Sequence, residues 1–195
     1  SEFPLDVFQT GSGTSTNMNM NEVISNLSST DSNPVHPNDH VNMGQSSNDV
    51  IPSAINVDAV LTLTNNLIPS MRHLKNSIEE KAKSIGDLPK NGRTHLMDAM
   101  PITFSQEMSA WSAQIEDSIT QYELSMSKLQ QLAIGGTAVG TGINADPDLS
   151  KKCCNHINKL TGMEFRPANN SFQAISSQDA SLILSSCNKT LAVAL

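Results

Sequence analysis

Charge is scarce in this chain. Of its 195 residues only 16% are Asp, Glu, Lys or Arg, and 37% are apolar. Twelve Lys and Arg stand against nineteen Asp and Glu, a net charge of −7, and the one tight basic cluster is Lys151-Lys152. Nucleic-acid binding needs clustered basic side chains, so that class of partner is excluded. Cysteine is scarce too. Cys153, Cys154 and Cys187 are odd in number, and two are adjacent. That pattern does not suit a disulfide framework and points to a reducing compartment. Zinc-type ligand spacing is missing, so no metal site is expected. Apolar runs extend only a few residues, too short to span a membrane. There is no initiator Met, and the closing Thr190-Leu191-Ala192-Val193-Ala194-Leu195 is a helical pattern with no stop signal. We therefore read the chain as an internal piece of a longer protein. What fills the composition is neutral and polar: Ser, Thr and 19 Asn. The length is that of one domain or a large part of one, enough to bury a core without staples.

Hydrophobic periodicity predicts an all-α fold, a bundle of long helices behind a loop-rich N-terminal region. Two regions are expected: residues 1–49, polar loops with a short helix, and residues 50–195, a helix bundle incomplete at its C-terminal end. The short helix is placed at 18–29 on Met20, Val23, Ile24 and Leu27, with loops at Thr10–Thr14 and Val35–His40. Apolar residues then step by three or four from Val50 to Ile85, with one weak gap near Thr64. Pro69 lies inside this pattern and should kink it, and Gly86 ends it. Residues 87–100 read as a connector, with Pro101 opening a second long helix. That helix carries the stripe Phe104, Met108, Trp111, Ile115, Ile119, Tyr122, Met126, Leu129 and Ala133, with Trp111 and Tyr122 assigned to packing. A Gly-rich break at 135–144 precedes a shorter helix with Leu149, Cys153, Ile157 and Leu160 inward, and a last helix begins near Ser177. No multi-stranded sheet is expected.

Four polar segments border these helices. Gly11-Ser12-Gly13-Thr14-Ser15-Thr16-Asn17 combines flexible backbone with hydroxyl and amide donors suited to an anion. Gln45-Ser46-Ser47-Asn48-Asp49 sits where a long helix starts, and free N–H groups there favour a carboxylate or phosphate. Gly92-Arg93-Thr94-His95 offers a guanidinium that can clamp a carboxylate and an imidazole that titrates near neutrality. His36-Pro37-Asn38-Asp39-His40 brings two His and an Asp together without a third compact ligand set. On local sequence alone the first reads more readily as a solvated loop, the second as a plain helix cap and the third as a surface or structural histidine. The Gly135–Gly142 run follows a helix and not a strand, so it is not a dinucleotide fingerprint.

Taken together the segments resemble class II fumarases. The resemblance rests on Gln9–Glu22, on Val35-His-Pro-Asn-Asp-His-Val-Asn-Met-Gly-Gln-Ser-Ser-Asn-Asp49, on Gly92-Arg-Thr-His-Leu-Met-Asp-Ala99 and on Ala133-Ile-Gly-Gly-Thr-Ala-Val-Gly-Thr-Gly142, in order and at matching spacing over the whole chain. It implies the all-α fold of the fumarase/aspartase superfamily, a homotetramer with sites shared between subunits, and reversible hydration of fumarate to (S)-malate with no cofactor, in the cytoplasm, or in mitochondria for a eukaryotic parent. It implies that Ser12, Thr14 and Asn17 bind substrate, and that Ser46, Ser47 and Asn48 hold its carboxylates. Thr94 and His95 would be supplied to a neighbour's site, with His95 relaying protons. His36, Asn38 and Asp39 would form a second dicarboxylate site, although Asn33 stands where some relatives carry a basic residue. The family's signature loop, Gly-Ser-Ser-x-Met-Pro-x-Lys-x-Asn, with its serine base, does not occur among the 195 residues. The expected activity therefore belongs to the full-length parent, and the chain alone is expected to be inactive. Aspartate ammonia-lyase shares the His-Pro-Asn-Asp and Gln-Ser segments and is the rival enzyme. A helical fragment that only associates or binds dicarboxylates is the rival of another class.

Overall fold

The computed structural model describes every residue except Ser1, Val7, Thr10, Gly11, Ser12 and Ser177, and the side chains of 178–181 are likewise left aside. Helices dominate. The chain divides into two compact units, one formed by Ser1–Ala59 with Lys128–Ser181, the other by Val60–Ser127 with Leu182–Leu195.

In the first unit, α1 runs Thr14–Ser28 from a glycine cap at Gly13, whose φ of 76° suits glycine. A Cβ there would lie 2.8 Å from the Ile51 side chain. The helix inverts the expected pattern. Its buried residues are Asn17, Asn21 and Ser25, while Met20, Ile24 and Leu27 are exposed. Burying amides is tolerable only when they are bonded. Here Asn17 Nδ2 and Asn21 Nδ2 both donate to Asn42 Oδ1, and Ser25 Oγ donates to the Val35 carbonyl. Part of the segment expected as a loop is a five-residue π-helical turn, Pro37–Val41.

The long helical pattern forms α2, Ser47–Thr62, and α3, Ile68–Ile85, joined through a π-helical turn at Leu63–Leu67. Pro69 has no N–H to donate and its ring crowds the preceding turn, so the chain inserts a residue just before it. The weak gap near Thr64 falls on that insertion. In the second unit, Val60, Leu63, Ile68, Met71, Ile115, Ile119, Tyr122 and Cys187 are buried, and the Tyr122 hydroxyl donates to Asn188 Oδ1 at 2.6 Å.

The connector is a correction. Residues 89–103 form a β-hairpin, β1 Pro89–Thr94 and β2 Met97–Thr103, paired antiparallel from Pro89↔Thr103 to Thr94↔Met97. The register slips at Gly92, where a Cβ would meet the Met100 carbonyl at 2.7 Å. Backbone pairing carries this ribbon while most of its side chains face water, so it has no alternating apolar pattern to read. Pro101 therefore lies in a strand, and α4 begins three residues later, running Phe104–Leu129. Its start is a reciprocal cap: Thr103 Oγ1 accepts the Gln106 N–H, and Gln106 Oε1 accepts the Thr103 N–H. At about 39 Å it is long. Ile115, Ile119, Tyr122 and Leu129 are buried as expected, but Trp111 is 45% exposed.

After α4, the two-residue β3, Gln131–Leu132, pairs parallel with β4, Arg166–Pro167. Between them lie the Gly-rich turns and α5, Leu149–Thr161, whose buried residue is Cys154, with Leu160 86% exposed. The inward face is thus rotated from the one expected. Asn158 pairs with the Phe165 backbone through both N–H and C=O. Helices α6, Ser171–Ile175, and α7, Gln178–Ala194, complete the chain. The Ser177 start expected for the last helix lies outside the described residues.

All three cysteines are unbridged, with Cys154 and Cys187 buried. Burial pushes the Cys154 thiol up to about 11. A thiol that ionises less readily folded than unfolded stabilises the fold below its unfolded value of 9.0 and ceases to do so as pH rises through the folded value. Urea unfolding midpoints should therefore fall between about pH 9 and 11, and Cys154→Ala should flatten that fall. Alkylation in native protein should modify Cys153 ahead of Cys154 by mass spectrometry.

Candidate active site

Ser46-Ser47-Asn48-Asp49 folds into a capping box at the start of α2. Ser46 Oγ accepts the Asn48 N–H at 3.2 Å, and Asp49 Oδ1 accepts the Ser46 N–H at 3.0 Å. This is also where two of the polar segments meet the Gly-rich turn. Asp49 is wholly buried. Its second oxygen, Oδ2, accepts the N–H groups of Gly135 at 3.0 Å and Thr137 at 2.7 Å. Asn48 Nδ2 donates to the Ala138 carbonyl at 3.1 Å. The helix start is thereby fastened to the Gly-rich turn about ninety residues downstream. From the other side, Thr14 Oγ1 lies 3.2 Å from Ser47 Oγ.

Two opposed effects act on Asp49. Burial pushes its carboxyl above the ordinary range, and the three amide donors pull it back, burial being the larger. The turn it grips is forced into an unusual shape. Thr137 sits at φ 58°, a left-handed conformation rare for a β-branched residue. Its hydroxyl is buried and has no partner.

The Asn network ties in the His36 loop. Asn42, which accepts from Asn17 and Asn21, donates to Asn38 Oδ1 at 3.4 Å. His36 caps its own turn, with Nδ1 accepting the N–H groups of Asn38 and Asp39 at 3.3 and 3.1 Å. Asp39 Oδ2 also approaches the same Nδ1 at 3.3 Å. His36, Asn38 and Asp39 are exposed.

Of the residues expected to bind substrate, Thr14, Asn17, Ser46, Ser47 and Asn48 thus share one unit and one hydrogen-bonded neighbourhood. Asn17 is buried, and the other four keep part of their surface open. Ser12 lies outside the described residues. Thr94 and His95 belong to the second unit, where they form the exposed tip of the β1–β2 hairpin. Sequence reasoning did not single out Asp49, Asn21 or Asn42. The Ser-x-x-Asp capping box was readable. The bond to residues 135–137 was not, because nothing local encodes a partner so far along the chain.

At the start of α2, hydroxyls and amides gather around a helix N-terminus, which favours an anion. An imidazole on an exposed tip can exchange protons. Among the described residues no cluster of three metal-ligating side chains occurs.

The chain matches the family described as lyase over residues 1–195. It is 50% identical over 195 residues to a class II fumarate hydratase of Xylella fastidiosa, covering 100% of this chain and 41% of that protein. It is 51% identical over 194 residues to fumarate hydratase class II 2 of Pseudomonas aeruginosa, covering 99% and 42%. The crystal structure of a class II fumarase from Schistosoma mansoni superposes with a TM-score of 0.93 at 39% identity, over 99% of this chain and 45% of that one. The chain thus spans under half the length of these relatives.

At the hairpin tip, His95 and Leu96 take φ of 49° and 63°. Two consecutive left-handed residues make a turn that favours Asn-Gly. Leu96 is 95% exposed and gives up little packing. Leu96→Gly should therefore raise stability by about 0.5–1 kcal/mol, read as a higher urea midpoint.

Proposed function

The chain belongs to the lyase family, and from that premise we propose that the protein it forms part of is a class II fumarate hydratase interconverting fumarate and (S)-malate, the hydration step of the tricarboxylic acid cycle. The observation that carries this reading is the gathering of Ser46, Ser47, Asn48 and Thr14 at the amino end of α2, with Ser47 and Thr14 hydroxyls 3.2 Å apart. Relatives named fumarate hydratase at 50% identity support it. In the malate direction a base removes the proton from the carbon beside one carboxylate. The electron pair left behind spreads onto that carboxylate, whose oxygens gain charge. Preorganised donors there are the main catalytic need. The hydroxyl on the neighbouring carbon then leaves with a proton, as water.

In this reading Ser12, Thr14, Asn17, Ser46, Ser47, Asn48 and Thr94 bind the substrate, and His95 helps to position the water and relay its proton. His36, Asn38 and Asp39 would take a second dicarboxylate. No cofactor takes part. The enzyme would be a cytoplasmic homotetramer, mitochondrial in a eukaryote, in which Thr94 and His95 complete a neighbour's site. The exposed tip that carries them is what such sharing requires.

Full-length enzyme should form malate from fumarate, and these 195 residues alone should form none. Aspartate exceeding malate when ammonia is offered would move the reading to ammonia-lyase. His95→Asn tests the site directly. Asn tolerates the left-handed backbone at this position, so the turn should survive and the melting temperature should stay near wild type. Turnover should fall about 100-fold or more. Near-normal turnover, or a larger loss from His36→Asn, would remove His95 from the mechanism.

A further inference from the structure

Asp49 makes no use of its charge at a surface. It is wholly buried, it follows directly on Ser46, Ser47 and Asn48, and its three acceptor bonds all go to backbone N–H groups. One oxygen sets the conformation of the residue at which the candidate carboxylate-binding segment begins. The other holds that segment against residues 135–137. The Asn48 amide to the Ala138 carbonyl is a third bond across the same junction. One turn along α2, Ser53 Oγ donates to the Asp49 carbonyl at 2.7 Å, which fixes the helix below.

We propose that Asp49 is a positioning residue for dicarboxylate binding: its buried carboxylate holds Ser46, Ser47 and Asn48 at the spacing and orientation that grip a substrate carboxylate. The proposal rests on the fumarate hydratase reading of the site. Donors to a charged group lose most of their worth when misplaced, because hydrogen bonds fall off steeply with angle and distance. Nothing else on this segment supplies two acceptors to amides from both sides. An amide at residue 49 would turn one acceptor into a donor aimed at N–H groups, and the segment would shift or loosen. A glutamate would keep the charge and push the segment away from the turn by one methylene.

The test uses full-length enzyme with wild type, Asp49→Asn, Asp49→Glu and Ser53→Ala, assayed for fumarate hydration and followed by thermal melting. Activity in the wild type decides the underlying reading, and its absence would sink that reading whatever the variants do. Given an active wild type, the variants decide the proposal. Loss of binding that serves ground and transition states alike raises KM. A charged-group hydrogen bond is worth roughly 10-fold or more, so at least one Asp49 variant should show KM for fumarate and for malate raised by about that factor, with the kcat per folded enzyme changed less. Ser53→Ala should melt lower with KM unchanged. A purely structural Asp49 would behave like Ser53, lowering melting temperature and active fraction at constant KM, and that result overturns the proposal. Failure of both Asp49 variants to give folded enzyme would equally assign the residue to folding alone.

Discussion

Taking a carboxylate out of water costs several kcal/mol, and only donors already in place offset it. At Asp49 those donors are three backbone N–H groups, which add no counter-charge and no mobile side chain. The rest of the first unit is arranged to make them available. Gly135 stands in a left-handed conformation, and a Cβ there would lie 2.8 Å from Ser150. Thr137 accepts a strained φ so that its N–H points at the same oxygen. The start of α2 spends one of its free amides on Asp49 instead of water. Such a junction is all or nothing. Removing the acceptor leaves buried N–H groups unpaired, which costs more than the intact bonds contribute.

Beside this charged junction, the packing of α1 uses neutral polar groups. Asn17, Asn21 and Ser25 lie four residues apart on the inward face, and each finds a partner. Here the unusual composition acquires a purpose. Amides can donate and accept without a full charge, so they fill the inward face of α1 without adding a second charge beside Asp49. The apolar residues of α1 are left on the outside, where Leu27 is 82% exposed.

Much of the helical layout was legible in the residues. The α2–α3 and α4 stripes, the interruption near Pro69 and the stop at Gly86 follow from period and from the missing proline N–H. The inward face of α1 was not legible, since a hydrophobic pattern cannot reveal a buried amide whose partner, Asn42, lies beyond the helix. The hairpin was missed for a related reason. Its strands are paired by backbone, and Met97 and Met100 are 70% and 73% exposed. The Thr103–Gln106 capping box was present in the sequence and would have moved the start of α4 from Pro101 to Phe104. For the site, the segments and the local cap were readable, whereas the 86-residue reach from Asp49 to Gly135 was fixed only by tertiary packing.

The second unit solves a different problem. Its candidate residues stand on a ribbon whose root is pinned. Lys90 reaches Glu107 at 2.6 Å on the first turn of α4, its ammonium lies 5.2 Å from the Phe104 ring centre, and the Phe104 N–H donates to the Leu88 carbonyl. Arg93 pairs with Asp98 across the strands. These contacts fix where the ribbon leaves the helix, while Thr94, His95 and Leu96 project at its tip. Two consecutive non-glycine residues with positive φ cost energy that an unconstrained loop would relieve. The pairing of Thr94 with Met97 holds the turn closed against that strain. A buried junction gives rigidity by satisfying every group around one charge. A pinned ribbon gives it by strand pairing, and in doing so it leaves its terminal side chains open to whatever surface it meets.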